Sequence, residues 1–205
     1  MKWNKKLVLG AVLATSLVTL SACQSISNWW KNTKEEWIGL EMTVRTYDEN
    51  SQLIDEMSGK SLSISRNQEF DSMDAEGYSN ADSSVLKVTL GNYEIDHVGS
   101  SLIAAEEGLE DLFAKYQTTV DMSNYDYAIP VVNRMVSSLK NDFTGKAKVV
   151  LIRSQNGTPL ATYVGDKVSL YASDAPKTSE LLIDDKRLII YRCDYTIYDR
   201  ELLEN

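Results

Sequence analysis

The sequence predicts an α+β domain with a mainly antiparallel sheet, and three observations carry that expectation. Short runs of alternating hydrophobicity follow Trp37, two segments of helical periodicity lie mid-chain, and strand-like runs resume after Gly145. Leu40 to Tyr47 and Leu53 to Ser58 flank the polar stretch Asp48-Glu49-Asn50-Ser51, and Ser61 to Arg66 follows Gly59, a pattern that predicts a β-meander. Residues 67 to 84, rich in Ser, Asp, Asn and Glu, read as a long loop. Val85 to Leu90 and Tyr93 to Val98 are two strands joined at Gly91-Asn92, a tight hairpin signal.

Two amphipathic helices are expected next. In the first, Leu109, Leu112, Phe113, Tyr116 and Val120 recur at helical spacing. In the second, Pro130 takes an early position and Val132, Met135, Val136, Leu139 and Phe143 form one face. Strands then return at Lys148 to Ser154, Leu160 to Val164 and Lys167 to Ala172, with a turn at Asn156-Gly157. A last hairpin turns at Asp184-Asp185-Lys186-Arg187 into a strand from Leu188 to Ile197. In that strand Ile189, Tyr191, Cys193, Tyr195 and Ile197 are expected to share a face, which makes Cys193 a small buried hydrophobe.

The amino-terminal segment reads as an export address. Lys2, Lys5 and Lys6 precede an uncharged run from Leu7 to Leu20, 14 residues long, where a helix needs about 20 to cross the hydrocarbon core. Leu20-Ser21-Ala22-Cys23 follows, and it resembles the lipobox of bacterial lipoproteins. The resemblance implies recognition of Leu20, Ser21 and Ala22 by a signal peptidase, cleavage before Cys23, and a diacylglycerol on the Cys23 thiol. Two or more acyl chains, at about 0.8 kcal/mol per buried methylene, hold a protein to a bilayer where one does not. Three regions are thus expected: a signal peptide (1–22), a lipid anchor and tether (23–36) and one extracytoplasmic domain (37–205). Trp29 and Trp30 in the tether suit the headgroup level.

Composition narrows the function. The net charge of -9 becomes -12 once the three lysines of residues 1–22 are gone. A surface of that sign repels phosphate backbones, so no nucleic-acid partner is expected and the membrane is reached through lipid. The 183 residues that remain suit one domain and are too few for a two-lobed solute-binding protein. With Cys23 acylated, Cys193 has no partner and no disulfide forms within the chain.

Chemistry is harder to find. His97 is the only histidine, and the nearby Gly99-Ser100-Ser101 lacks the G-x-S-x-G elbow of a nucleophilic serine, so a structural histidine beside Asp96 is expected. One histidine and one free cysteine do not make a zinc site, and no phosphate-binding glycine loop is present. Asp71-Ser72-Met73-Asp74-Ala75-Glu76-Gly77, with Asp82 beyond, offers oxygen ligands but not the EF-hand register, so a solvated acidic loop is expected. Glu106-Glu107 and Asp184-Asp185 are adjacent pairs whose side chains point apart, and they read as helix-start and turn residues. Tyr125, Tyr127, Tyr191, Tyr195 and Tyr198 could line a groove for sugar, peptide or protein. No catalytic residue, metal or cofactor is assigned.

The plan resembles that of small surface lipoproteins of Gram-positive bacteria whose domain has no known function. The segments His97-Val98-Gly99-Ser100-Ser101-Leu102-Ile103 and Tyr195-Thr196-Ile197-Tyr198-Asp199 carry the resemblance within the domain. It carries no catalytic residue across, and with no catalytic constellation in the sequence a non-enzymatic binding or accessory module on the outer face of the cell membrane, with an envelope protein or cell-wall partner, is expected. A cell-wall hydrolase working through carboxylates that meet only in the fold, and a small solute- or peptide-binding lipoprotein, are the alternatives.

Overall fold

A computed structural model describes residues 38–77, 79–119, 134, 135, 138 and 145–203. All of the elements belong to the compact unit that begins at Leu40. The strands are β1 (Glu41–Tyr47), β2 (Leu53–Lys60), β3 (Leu62–Arg66), β4 (Ser72–Met73), β5 (Ser79–Ala81), β6 (Leu86–Leu90), β7 (Tyr93–His97) and β8 (Ser101–Glu106). After the helix α1 (Leu112–Thr119) come β9 (Lys148–Arg153), β10 (Pro159–Gly165), β11 (Val168–Ala172), β12 (Thr178–Ile183), β13 (Lys186–Tyr191) and β14 (Asp194–Asp199).

Strands account for 54% of the structure, against one short α-helix and two 3-10 turns among the described residues, so the fold is mainly antiparallel β and not α+β with two amphipathic helices. The expected first helix is shorter than its apolar spacing implied, because Gly108 is in the left-handed region and the Asp111 carboxylate caps the chain only at Leu112. Leu109 packs against the core between sheets instead. Of the expected second helix only Arg134, Met135 and Ser138 are described, and Met135 is buried against α1. Two strands were hidden in the expected loop at 67–84, namely β4 and β5, and β12 had no alternating signal because Leu181, Leu182 and Ile183 run together.

The central sheet has six antiparallel strands in the order β11-β12-β13-β8-β1-β2. One face, carrying Tyr47, Ile103, Ala105, Leu181, Ile183, Leu188 and Ile190, packs on the sheet β10-β9-β14 through Val150, Ile152, Ala161 and Tyr163. The opposite face of β1, β8 and β13 carries Met42, Val44, Leu102, Ala104, Ile189 and Tyr191, all buried. The sheet β3-β6-β7 covers this second face. His97 meets the Tyr191 ring edge-on at 5.5 Å, the Tyr191 hydroxyl reaches the Ser84 carbonyl at 3.4 Å, and a Cβ at Gly59 would stand 2.9 Å from Leu90 Cγ. Beyond β9, Val149 and Leu151 meet Leu112, Phe113 and Tyr116 of α1. β8, β9 and β13 are therefore buried on both faces, which is why they read as unbroken apolar runs.

The expected meander and the expected long final strand both change at a single residue. Ser61 has φ 63°, and past it the chain leaves β2 to pair β3 with β6 in the covering sheet. Arg192 has φ 50°, and past it the chain leaves β13 in the central sheet for β14, which pairs with β9. The switch at Arg192 also resets the alternation. Cys193, Tyr195 and Ile197 pack with Leu188 and Ile190, while Ile189 and Tyr191 face the other way.

The hairpin turns stand where expected. Gly91 alone has positive φ in the β6–β7 turn, the II′ pattern, whereas Asp184 and Asp185 both have positive φ between β12 and β13, the I′ pattern. That second turn is two residues long, so Lys186 and Arg187 belong to β13.

A left-handed conformation costs a β-branched residue about 1–2 kcal/mol and glycine nothing. Ser61→Gly is therefore expected to keep stability within about 1 kcal/mol, and Ser61→Val to lose about 1–2 kcal/mol, read as a melting temperature lower by about 2–8 °C.

Candidate functional site

Sequence-adjacent groups are sent apart by the strand geometry, and distant ones are brought together. Glu106, at the end of β8, accepts the Arg187 N–H at 2.9 Å through Oε2 and stands 3.6 Å from Lys186 Nζ. Glu107, one residue on, faces Glu41 at the start of β1. A hydrogen bond from Glu107, helped by Lys60, holds the Glu41 carboxyl below its ordinary range, while that shared bond and the repulsion of Glu41 push Glu107 up. The pair edges a groove of about 310 Å³ with Thr43, Ser58 and Gly59.

The better-built depression lies where α1 begins. A groove of about 300 Å³ runs between the segment Gly108–Leu112, the end of β10 at Val164, the β12–β13 hairpin and Lys146. Its apolar lining is Leu109, Leu112, Val164 and Ile183, and its charged lining is Glu110, Lys146, Asp184 and Lys186.

Backbone approach sets its width. A Cβ on Gly165 would stand 2.6 Å from Ile183 Cγ2, so the hairpin packs on β10 only because no side chain intervenes. Asp184 fixes the hairpin tip. It accepts the N–H groups of Asp166 and Lys167 at 2.8 and 2.9 Å and the Lys146 ammonium at 2.6 Å. Lys146, with its hydrogen bond first and the two backbone N–H groups adding to it, holds the Asp184 carboxyl below its usual range, and the same bond raises Lys146. Lys186 donates to the Glu107 carbonyl at 2.7 Å.

Asp111 is the other fixed point. Its Oδ1 accepts the N–H groups of Phe113 (3.0 Å) and Ala114 (3.3 Å) in the first turn of α1 and that of Thr162 (3.0 Å) in β10. Burial pushes its pKa up, against the lowering effect of those three donors. The result is an apolar cleft with two ammonium groups and two carboxylates on its rim, the ammonium groups already held by Asp184 and by the Glu107 carbonyl. Chemically it suits a small, largely apolar group with a few polar atoms.

The residues singled out in the sequence are otherwise used by the architecture. His97 Nε2 faces the Ser100 carbonyl at 3.0 Å and not a serine hydroxyl, Ser101 Oγ donates to the Arg192 carbonyl, and Asp96 accepts from Asn67. Cys193 is half-buried, with Sγ 3.3 Å from the Tyr191 carbonyl, and burial pushes its thiol up to about 12. In the acidic segment, Arg66 bridges Asp71 and Asp82, Asp71 also accepts the Ser83 N–H, and Asp74 accepts that of Glu76. Among the described residues no group of three or more His, Cys, Asp or Glu side chains could hold a metal ion.

The expected tyrosine surface is dispersed. Tyr191 lies under the β3-β6-β7 sheet, the Tyr195 hydroxyl bonds Ser179 at 3.2 Å beside the core, and Tyr198 pairs with Arg153 at 3.3 Å, which lowers its pKa. Tyr125 and Tyr127 lie outside the described residues, as do Leu20, Ser21, Ala22 and Cys23. The groove itself was not foreseen. It draws on segments separated by about 20 to 30 residues, and its local signals are the Asp184-Asp185 turn, which was expected as a turn, and the Asp111 cap before Leu112, which was not singled out.

Two variants probe this region. Asp111→Ala removes a helix cap and strands the buried Thr162 N–H, so it is expected to cost about 2–4 kcal/mol in denaturant unfolding, with Asp111→Asn losing less. Asp184→Asn, at a site one-third exposed, is expected to cost about 1 kcal/mol near neutral pH. Because the folded pKa of Asp184 is lowered, its contribution is present above the ordinary aspartate range and is lost as pH falls through the folded value. The gap between the two proteins therefore closes in acid, as melting curves across pH would read.

A family model described as Domain of unknown function (DUF5052) matches residues 5–203. No curated protein and no solved structure matches the chain. With nearly its whole length covered by that one model, the chain belongs to the DUF5052 family.

Proposed function

We propose that this protein is a Gram-positive-type surface lipoprotein, anchored through Cys23 to the outer face of the cell membrane, whose domain is a non-enzymatic binding or accessory module of the envelope. The observation that carries the reading is Leu20-Ser21-Ala22-Cys23 placed directly after the 14-residue uncharged run. Among the described residues no helix is long and apolar enough to cross a membrane, so attachment by lipid is consistent with the domain's own make-up. The use of His97, Cys193, Glu106 and Asp184 in fixed structural contacts supports binding over catalysis. The groove at the start of α1, with its apolar lining and a rim of both lysines and carboxylates, is the place where a small amphipathic ligand or a partner's side chain would seat.

Cys23→Ala is expected to abolish labelling by a lipid precursor and to release the protein to the medium or leave it unprocessed. Unchanged labelling and membrane attachment in cell fractionation would overturn the proposal.

A further inference from the structure

Of the chain's asparagines only Asn156 is followed by glycine. Gln155, Asn156 and Gly157 form the exposed tip of the β9–β10 hairpin, and a 2.8 Å bond from the Ser154 N–H to the Thr158 carbonyl closes the turn beneath them. The main-chain nitrogen that follows an asparagine can attack its side-chain carbonyl and close a five-membered ring, a reaction made fast by proximity. A side chain on the following residue hinders that approach. Gly157 has none, and no atom beyond its chain neighbours stands within 4 Å of where a Cβ would be. Asn50 and Asn92 are also exposed turn residues, but Ser51 and Tyr93 follow them.

The turn also prepares the carbonyl. Asn156 Oδ1 accepts the Thr158 N–H at 3.0 Å and the Thr158 hydroxyl at 2.7 Å, and Ser154 Oγ divides its one proton between that oxygen and the Glu49 carbonyl. Attack places negative charge on this oxygen, so donors already in position stabilise the tetrahedral intermediate. One contact opposes the reaction, the 2.9 Å bond from the Gly157 N–H to the Ser154 carbonyl. Breaking a single bond of that kind slows the attack by about tenfold at most.

We propose that Asn156 is a self-modification site, converted through a succinimide to aspartate and isoaspartate with water as the only co-reactant. A solvent base takes the Gly157 N–H proton, and the nitrogen bonds to Asn156 Cγ. The Cγ–Nδ2 bond then breaks, and Nδ2 takes up a proton and leaves as ammonia. Water opens the ring at Cγ to give aspartate, or at the main-chain carbonyl carbon to give isoaspartate. Either product adds a negative charge to the tip, and isoaspartate also lengthens the main chain by one carbon, which breaks the register of Ser154 with Thr158. This hairpin holds the β1–β2 turn through Ser154 on the Glu49 carbonyl and Ser51 on the Pro159 carbonyl, so the conversion loosens one hairpin from the other.

The test incubates the full chain, solubilised from membranes in mild detergent, at mildly alkaline pH and digests it in acid for mass spectrometry. The Asn156 peptide is expected to gain about 1 Da, at a rate about tenfold or more above the Asn50 and Asn92 peptides, and to be labelled by an isoaspartate-specific methyltransferase. The native rate is expected to lie within about tenfold of the rate in urea. Thr158→Val, which removes one donor to Oδ1, is expected to slow the native rate about fivefold and to leave the rate in urea unchanged. An Asn156 that stays intact in the native chain while it converts in urea, conversion no faster than at Asn50 and Asn92, or a native Thr158→Val rate equal to that of the unsubstituted chain would each overturn the proposal.

Discussion

Covering the central sheet on both faces is the constraint on which the other elements depend. β8 and β13 are buried at every residue but one end each, Glu106 and Lys186, so neither face of the sheet at its middle can be left to water. One cover is β10-β9-β14, the other β3-β6-β7, and the first is itself roofed by α1. Burial on this scale is non-directional and would tolerate sliding of one layer over another. Asp111 opposes that freedom at one point, because a single oxygen serves the first turn of the helix and a strand of the sheet beneath it. A buried carboxylate is tolerated only with donors around it, so the helix cannot move off the sheet without stranding a charge.

Local chemistry made the hairpins legible. Gly91-Asn92 and Asp184-Asp185 lie between runs of strand residues and take the positive φ values such turns require. What the sequence could not show is which sheet each run joins. Ser61 and Arg192 are neither glycine nor proline, and nothing in their side chains announces a left-handed residue, so β2 and β3 read as successive strands of one meander and β13 into β14 as continuous strand. The helical expectation failed for a related reason. Leu109 fits the spacing of Leu112 and Tyr116, but its partners are in the core between sheets, and apolar spacing does not say which surface a residue meets.

The candidate site was legible only in fragments. Residues capable of chemistry were visible from the start, yet His97 is spent on a backbone carbonyl, and Glu106 and Asp184 on backbone N–H groups and on Lys186 and Lys146. The groove, by contrast, is lined by leucine, valine, isoleucine and lysine at unremarkable positions. Its form comes from a missing side chain at Gly165 and an anchored turn at Asp184, both of which act through tertiary approach.

The passages at Ser61 and Arg192 have a mechanical consequence. The chain changes sheets across one residue at Ser61 and across two at Arg192-Cys193, so there is no slack linker along which the layers could part. Parting the layers would have to be absorbed in the backbone angles of these few residues, which the strand pairing on either side holds. Under the proposed binding role, a partner would meet surfaces already in place and surrender little conformational freedom on contact.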